Sequence, residues 1–267
     1  MISAENSRVT AIIPTFRSEK FILRALESIL AQTHQVDEII VVDDASDDST
    51  VATVQQFASQ HKHIRIITNA KNQGPGRSRN TAWSAATTEY IAFLDADDSW
   101  HPNKIATQLD WFKNNPNAVI CGTQHRIVNE PDQSEPVEKV STFKLKDLLK
   151  RNRFSTPSAM LRNDITVRFD SNARFSEDYL LWMEIAATYG SVCRINQQLT
   201  ILHKPTFGVN GLSGRLFSMY AGELNAIRTL HRKKHITSLT KSTIYVWSTI
   251  KFIRRIPMSL LRRLAWG

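Results

Sequence analysis

The stretch Y-I-A-F-L-D-A-D-D, residues 90–98, decides the fold, because a short apolar run ends abruptly in three carboxylates. The apolar part has the length and the residue types of a buried strand. Three similar runs precede it at residues 9–14, 38–42 and 64–68, and the second of them ends in Asp43-Asp44. Segments with helical spacing of apolar residues separate these runs. The alternation predicts an α/β fold with a mostly parallel central sheet flanked by helices.

Polar or turn-forming residues follow three of the predicted strands where each strand ends, at Pro14, Asp43-Asp44 and Asp95–Asp98. Ligands of parallel α/β sheets bind at the carboxyl ends of the strands, so we expect these positions to share one binding edge. Neighbouring carboxylates repel one another, and a hard divalent cation that prefers oxygen ligands would relieve the repulsion. The residues alone leave a second interpretation open, an acidic turn in which Asp98 or Ser99 caps the following helix.

The composition is that of a folded protein with a basic end. The chain has 267 residues, 42% of them hydrophobic, with a formal net charge of +9. Basic residues crowd between Arg228 and Arg263, which points to nucleic acid, an anionic membrane or phosphorylated ligands as partner. Cys121 and Cys193 lack metal-site spacing, and we expect both to be reduced. No signal peptide and no apolar run of spanning length is visible, so we expect a cytoplasmic protein.

Residues 244–267 alternate apolar and aromatic side chains with lysine and arginine. Such a segment can lie in a membrane interface, where anionic headgroups attract its basic side. It can equally form a helix that packs on the catalytic domain with its basic side in water. Pro257 is expected to interrupt the segment. The sequence therefore leaves both peripheral membrane contact and intramolecular packing open.

Five motifs, taken in order, resemble the successive motifs of family 2 glycosyltransferases. They are I-I-P-T-F at 12–16, V-V-D-D-A-S at 41–46, N-Q-G-P-G-R-S-R-N at 72–80, F-L-D-A-D-D at 93–98 and S-E-D-Y-L-L-W at 176–182. The resemblance implies the GT-A fold, a nucleotide-diphospho-sugar transferase sandwich. It divides the chain into a catalytic domain at 1–215, with a donor half at 8–104 and an acceptor half at 105–215, and a basic helical extension at 216–267.

The resemblance also assigns a nucleotide-binding set. Its members are Pro14, Thr15, Phe16, Glu19, Asp43, Asp44, Asn72, Gly74, Arg79, Asn80, Asp95 and Ala96. Within this set, Asp44 is the preferred contact to the base and Asp95 lies nearer the ribose. The guanidinium of Arg79 either forks onto the diphosphate or pairs with one of the neighbouring carboxylates.

The metal and catalytic residues follow from the same resemblance. Mn²⁺ or Mg²⁺ on the donor diphosphate is assigned to Asp97, with Asp95 and His203 as further ligands. Asp178 is assigned as the base that takes the acceptor proton, with Glu177 as second choice. From the residues alone, both carboxylates could instead be ordinary first-turn residues favoured by the helix dipole.

The resemblance implies an inverting glycosyltransferase. It would move a sugar from a nucleotide-diphosphate sugar, with a UDP-sugar as the expected donor, to a glycan or lipid-linked glycan. The expected setting is bacterial lipopolysaccharide or exopolysaccharide synthesis at the cytoplasmic face of the inner membrane. A sugar-phosphate nucleotidyltransferase would usually show a glycine-rich loop, which I-I-P-T-F-R-S-E lacks. A nucleic-acid binder fits the charge but not the acidic edge, so no nucleic-acid partner is expected.

Overall fold

The computed structural model describes residues 7–128, 130–133, 139–204 and 215–266, with side chains described as far as residue 257. The strands are β1 (Val9–Thr15), β2 (Glu38–Asp43), β3 (Ile64–Thr68), β4 (Tyr90–Phe93), β5 (Ser99–Trp100), β6 (Ile120–Ile127), β7 (Val140–Phe143), β8 (Met160–Arg162) and β9 (Val192–Leu202). The helices are α1 (Ile22–Leu30), α2 (Thr50–Ala58), α3 (Pro75–Ala85), α4 (Lys104–Asn114), α5 (Leu145–Leu148), α6 (Glu177–Tyr189), α7 (Leu216–Arg232) and α8 (Ser238–Trp266).

The strands form one mixed sheet. Its order is β3-β2-β1-β4-β8-β6-β9-β5, and β7 pairs with β9. Strands β3, β2, β1 and β4 run parallel, as the sequence predicts. Strand β8 then runs antiparallel to both β4 and β6, and β5 antiparallel to β9. The sequence did not predict β5, β7 or β8, because strands of two to four residues show no readable alternation.

Apolar side chains explain why the first half of the chain forms these elements. All seven residues of β1 are buried, which is the pattern of a central strand covered on both faces. Helix α1 buries Ile22, Ala25, Leu26 and Ile29, the spacing of a single helical face packed against a sheet. These residues belong to one hydrophobic core with the inward side chains of β1, β2 and β4.

A glycine and a proline set the start of helix α3. The helix begins at Pro75, directly after Gly74. Gly74 precedes it with a φ of 90°, a conformation that side chains with a Cβ disfavour. Proline fits the first helical position because the amide hydrogen it lacks has no intrahelical acceptor there. The glycine therefore turns the chain, and the proline starts the helix.

The described residues fall into two compact units that are discontinuous in sequence. The first contains the chain up to Thr142, together with Phe154–Thr166 and Val192–His203. The second contains Phe143–Arg153, Val167–Ser191 and the chain from Lys204 onward. The boundaries 1–215 and 216–267 follow chain order and stay a prediction.

Helices α6, α7 and α8 belong to the second unit. A Cβ on Gly222 of α7 would lie 2.5 Å from the carbonyl oxygen of Phe175, so glycine permits a close approach there. The expected interruption at Pro257 was wrong, since α8 continues through it from Ser238 to Trp266. Proline costs an internal hydrogen bond, but it can be tolerated with a kink. No helix in the described parts of the chain is long and apolar enough to cross a membrane.

Candidate active site

The parallel strands bring the predicted strand-end residues to one edge of the sheet in the first unit. Thr15, the last residue of β1, lies in register with Asp43, the last residue of β2. On the other side of β1, Ile12 lies in register with Phe93, two residues before Asp95. The three loops that leave β1, β2 and β4 therefore start side by side, which is the edge at which α/β proteins bind ligands.

At the last residues of β1 and β2, two buried polar atoms have no hydrogen-bond partner among the described residues. They are Oγ1 of Thr15 and Oδ1 of Asp43. The other carboxylate oxygen of Asp43 accepts a hydrogen bond from the backbone N–H of Ser46 at 3.0 Å. Buried polar groups in folded proteins are nearly always paired, so an unpaired set at a sheet edge marks a place where a ligand can supply the partners.

Asp44, by contrast, is fully engaged by the protein. Its carboxylate accepts hydrogen bonds from the backbone N–H of Gly74 at 2.7 Å and of Gln73 at 2.9 Å. The side-chain amide of Asn69 donates to it at 2.8 Å. Asn72 donates to the backbone oxygen of Asp44 at 3.2 Å. The side chain therefore holds the loop that leads into α3, and this geometry favours Asp43 over Asp44 as a contact for a base.

Arg79 and Asp95 form an ion pair at the carboxyl end of β4. Nη2 of Arg79 lies 2.6 Å from Oδ1 of Asp95, and the arginine side chain is only 5% exposed. Of the two interpretations for Arg79, the structure shows pairing with a carboxylate. The pair fixes Asp95 at the sheet edge through a charge-assisted hydrogen bond.

Asp98 is the most buried of the three carboxylates in the acidic turn. Its Oδ1 accepts a hydrogen bond from the backbone N–H of His203 at 3.3 Å. Burial and the charges of Asp95 and Asp97 raise the pKa of Asp98 to about 8. Helix α4 starts after Asn103 and has no side-chain cap, so the interpretation of the acidic turn as a helix cap was wrong.

His203 stands beside the acidic turn, as the resemblance implies. Its Nε2 lies 2.8 Å from Oγ of Ser99. Burial, followed by the charge of Arg24, lowers the pKa of His203. Among the described residues, no three His, Cys, Asp or Glu side chains already converge as a metal site. The ligand atoms nevertheless fit Mn²⁺ or Mg²⁺, because carboxylates are hard oxygen ligands and the charges of Asp95 and Asp97 still raise the pKa of Asp98.

The remaining predicted nucleotide residues lie around the same edge. Phe16 is 43% exposed directly after β1, and Pro14 and Ala96 are buried. Glu19 accepts a hydrogen bond from the backbone N–H of Ser49 at 3.0 Å, which ties it to the start of α2. Asn80 lies in α3, one residue after Arg79. The contacts of these residues to a nucleotide stay a prediction.

Glu177 and Asp178 open α6 in the second unit. Glu177 is buried, whereas Asp178 is half-buried. One carboxylate oxygen of Asp178 accepts the backbone N–H of Tyr179 at 2.7 Å, and the other lies 3.5 Å from the side-chain amide of Asn152. Ser176, just before them, has a left-handed φ of 56°. The more accessible carboxylate is therefore Asp178.

Left-handed backbone accompanies three of the predicted motifs. Among the described residues that are not glycine, Arg17, Ala45, Ser176 and Lys234 have positive φ values. The first three directly follow or precede predicted site residues. Such conformations are sparsely populated, and they cluster at sites where the surrounding structure imposes them.

Sequence reasoning missed Arg24, which holds the acidic turn, and Lys104, which lies against Trp100 of β5. Arg24 of α1 donates from Nη2 to the carbonyl oxygen of Asp97 at 2.6 Å. Lys104 of α4 is completely buried, donates to Gln108 Oε1 at 2.7 Å and lies 4.2 Å from the centroid of the Trp100 ring. Burial lowers the pKa of Lys104 to about 7. Residues four apart on a helix are neighbours, so the spacing of Lys104 and Gln108 was the sequence signal for this hydrogen-bonded pair.

The sequence model described as Glycosyl transferase family 2 matches residues 10–180. The chain belongs to this family. The match includes the sheet edge, the acidic turn and Asp178, so the resemblance drawn from the five motifs is confirmed. The nucleotidyltransferase and nucleic-acid-binding alternatives find no support in it.

Individual family 2 relatives are moderately similar. The Escherichia coli protein named UDP-Glc:alpha-D-GlcNAc-diphosphoundecaprenol beta-1,3-glucosyltransferase WfgD is 31% identical over 179 residues, 66% of this chain and 69% of that protein. The Bacillus subtilis protein TuaG, named as a putative teichuronic acid biosynthesis glycosyltransferase, is 27% identical over 182 residues, 66% of this chain and 71% of that protein. An uncharacterized glycosyltransferase of Rickettsia felis is 32% identical, and the chain spans 33% of its length.

Solved structures share the fold. Residues 1–349 of S. aureus TarS in complex with UDP-GlcNAc align with a TM-score of 0.66 at 19% identity, over 89% of this chain and 70% of that one. The mannosyltransferase PcManGT from Pyrobaculum calidifontis, in complex with GDP-Man and Mn²⁺, aligns with a TM-score of 0.64 at 18% identity, over 98% of this chain and 77% of that one. The predicted GT-A fold is thereby confirmed.

Proposed function

We propose that this chain is an inverting glycosyltransferase that moves a sugar from a nucleotide-diphosphate sugar to an acceptor hydroxyl. One observation carries the proposal. A braced sheet edge in a family 2 chain presents unpaired buried polar atoms on Thr15 and Asp43 beside the crowded carboxylates of residues 95–98. A nucleotide needs hydrogen-bond partners for its base and charge balance for its diphosphate, and the two halves of this edge supply them.

The base would bind at Asp43. Its free Oδ1 is an acceptor, and uracil offers an N–H that matches it. Phe16 adds an exposed aromatic ring at the end of β1. Asp44 would act indirectly, by holding Gln73 and Gly74 in place. A uracil nucleotide also fits the UDP-GlcNAc bound by the TarS structure and the UDP-Glc in the name of WfgD.

A divalent cation, Mn²⁺ or Mg²⁺, would be held by Asp97, with Asp95 and His203 as further ligands. When bound, it would neutralise charge on the departing diphosphate. The protein's own part is positional. Arg79 fixes Asp95, and Arg24 fixes the backbone at Asp97. The Mn²⁺ in the PcManGT complex supports this choice of ion.

The proton of the acceptor hydroxyl would go to Asp178, with Glu177 as second choice. The acceptor oxygen forms a bond to the anomeric carbon while the bond from that carbon to the diphosphate oxygen breaks. A single displacement of this kind inverts the configuration and needs no covalent intermediate. One half-buried carboxylate is sufficient as general base, and Asp178 is more accessible than Glu177.

The acceptor we propose is a bacterial cell-surface glycan or its lipid-linked precursor. WfgD is named for transfer to a diphosphoundecaprenol-linked sugar, and the 28% identical ExoO of Rhizobium meliloti for succinoglycan biosynthesis. Since nucleotide sugars are made in the cytoplasm, the reaction would take place at the cytoplasmic face of the inner membrane.

The test is a donor screen with the purified chain, Mn²⁺ and a panel of sugar nucleotides, read as released nucleoside diphosphate. We expect turnover with a UDP-sugar and a loss of about 10²–10³-fold in Asp97→Ala. Asp110→Ala is the matched control, because Asp110 is an exposed aspartate on α4. Near-normal turnover of Asp97→Ala in the presence of metal would overturn the metal assignment. Absence of both turnover and binding for every donor would overturn the function.

A further inference from the structure

One face of helix α8 is anchored inside the second unit. Glu223 of α7 is 6% exposed, accepts a hydrogen bond from Ser248 at 2.6 Å and pairs with Lys251 at 2.5 Å. Tyr245 donates to the carbonyl oxygen of Leu224 at 3.2 Å. A buried carboxylate that pairs with a lysine fixes the rotation of the helix, because its loss would leave an unpaired buried charge. Helix α8 therefore packs on α7 through this face.

The opposite face carries an apolar stripe that the described residues leave exposed. Leu239, Val246, Ile250 and Ile253 are spaced seven, four and three residues apart, which places them along one side of the helix. Their exposed fractions run from 45% to 79%. Scattered exposed apolar residues are normal, but a stripe along one helix face marks an interaction surface.

Basic side chains border the stripe. The indole N–H of Trp247 donates to the carbonyl oxygen of Lys150 at 3.1 Å, which places exposed Lys150 and Arg151 next to the helix. Arg254 is also exposed, one position after Ile253. Helix α8 contains six basic residues and no acidic residue among its 29 residues.

We propose that this surface, the stripe of Leu239, Val246, Ile250 and Ile253 with its basic border, docks on an anionic lipid bilayer. An amphipathic helix lies in the interface plane, with its apolar side chains among the lipids and its basic side chains on the headgroups. A second copy of the chain fits less well, because two copies of α8 would bring like charges together with no acidic partner on either helix.

The inference rests on the proposed function, since an acceptor carried on a lipid requires the enzyme at a membrane. Its test is flotation of the full chain with vesicles of phosphatidylcholine containing about one third phosphatidylglycerol. The variant is Val246→Gln, Ile250→Gln and Ile253→Gln together, since glutamine keeps helix propensity. We expect at least a tenfold loss of vesicle partition, because burial of even one such side chain is worth about that factor. Leu23→Gln, which removes a similarly exposed side chain from α1, should bind like the unaltered chain.

The basic side chains that border the stripe are tested in a separate experiment. Lys150→Gln, Arg151→Gln and Arg254→Gln together should lower binding to anionic vesicles at least tenfold and leave weak binding to pure phosphatidylcholine unchanged. Unchanged flotation of the stripe variant would overturn the proposal. A stripe variant that converts a dimer to a monomer in light scattering would also overturn it, by assigning the surface to a second copy.

Failure of this inference is separable from failure of the proposed function. Donor turnover in solution needs no vesicles. A chain that turns over a UDP-sugar but does not float refutes only the docking surface. A chain that floats through the stripe but neither turns over nor binds any donor refutes only the enzyme assignment.

Discussion

Replacement of Asp44 by alanine should destabilise the protein more than it weakens nucleotide binding. The carboxylate is 4% exposed and accepts hydrogen bonds from Gln73, Gly74 and Asn69 at 2.7–3.1 Å. Without it, two backbone donors and one amide lose a charged acceptor, and each such loss is worth about 1–3 kcal/mol. Some of these groups regain water as the loop relaxes, so we expect a loss of about 3 kcal/mol in the free energy of unfolding.

Asp43→Asn is the matched comparison, because Asp43 is the last residue of β2, directly before Asp44, and is also buried. The asparagine oxygen can still accept the N–H of Ser46. Its amide group replaces an oxygen that has no partner within the described chain, so the free energy of unfolding should change by less than about 1 kcal/mol. A uracil N–H would then meet another donor, and the Kd for UDP should rise at least tenfold, by about 1.4 kcal/mol or more.

Urea unfolding, followed by tryptophan fluorescence, and UDP titration by calorimetry would measure the two effects. Trp83 lies in α3, the helix that Asp44 braces, so fluorescence reports on the affected region. The reasoning is refuted if Asp44→Ala unfolds at the urea concentration of the unaltered protein while its UDP affinity falls. Equal losses of stability in the two variants would refute it as well, because the division between brace and base contact would then be absent.

Two further predictions concern Asp178 and Lys104. Asp178→Asn should lower kcat by about 10²–10⁴-fold with less than a twofold change in the Kd for UDP. A normal kcat in this variant would contradict the assignment of Asp178 as the base, and so would an equal loss of kcat in Glu177→Gln alone. For Lys104 the pKa falls from 10.5 to about 7 on folding, so the folded state binds fewer protons between these values and stability must rise with pH there. Between pH 7 and 10.5, the unfolding free energy of the unaltered chain should rise relative to that of Lys104→Met by up to about 5 kcal/mol, at about 1.36 kcal/mol per pH unit. Below pH 7, the unaltered chain should be least stable relative to the variant. Parallel pH dependences of the two proteins in urea unfolding would contradict the burial of a titrating lysine.

The parallel half of the fold was predictable because its residues obey two strong local rules. Strands covered on both faces are rich in apolar and β-branched residues, and the interior of β2 is Ile39–Val42, whereas β1 combines Val9, Ile12 and Ile13 with buried threonine, alanine and proline. Polar residues directly after such strands have only the sheet edge to occupy. The place of Asp43 and Asp95 could therefore be read from the sequence before any family resemblance was considered.

The separate roles of the residues at that edge could not be predicted from the sequence. Asp43 and Asp44 are adjacent, chemically identical and both at a strand end, so no pattern separates them. Their roles differ because successive side chains near the end of a strand point in different directions. Asp44 meets the backbone of Gln73 and Gly74, which arrives from a loop 30 residues later. Arg79 and Asp95 pose the same problem, because ion pairing depends on a distance that spacing along the chain does not give.

The two interpretations of the tail sequence, intramolecular packing and contact with a membrane, are compatible with each other. A helix that is apolar on one face can pack against one surface, whereas a helix with apolar residues on two faces can contact two surfaces. In α8, Ile244 and Ser248 face the interior, while Val246 and Ile250 face outward. Packing on α7 and contact with a further surface therefore do not compete. The packed face, held by Glu223, fixes which side chains the helix presents, and without that fixed rotation the stripe could not present one apolar side to a bilayer.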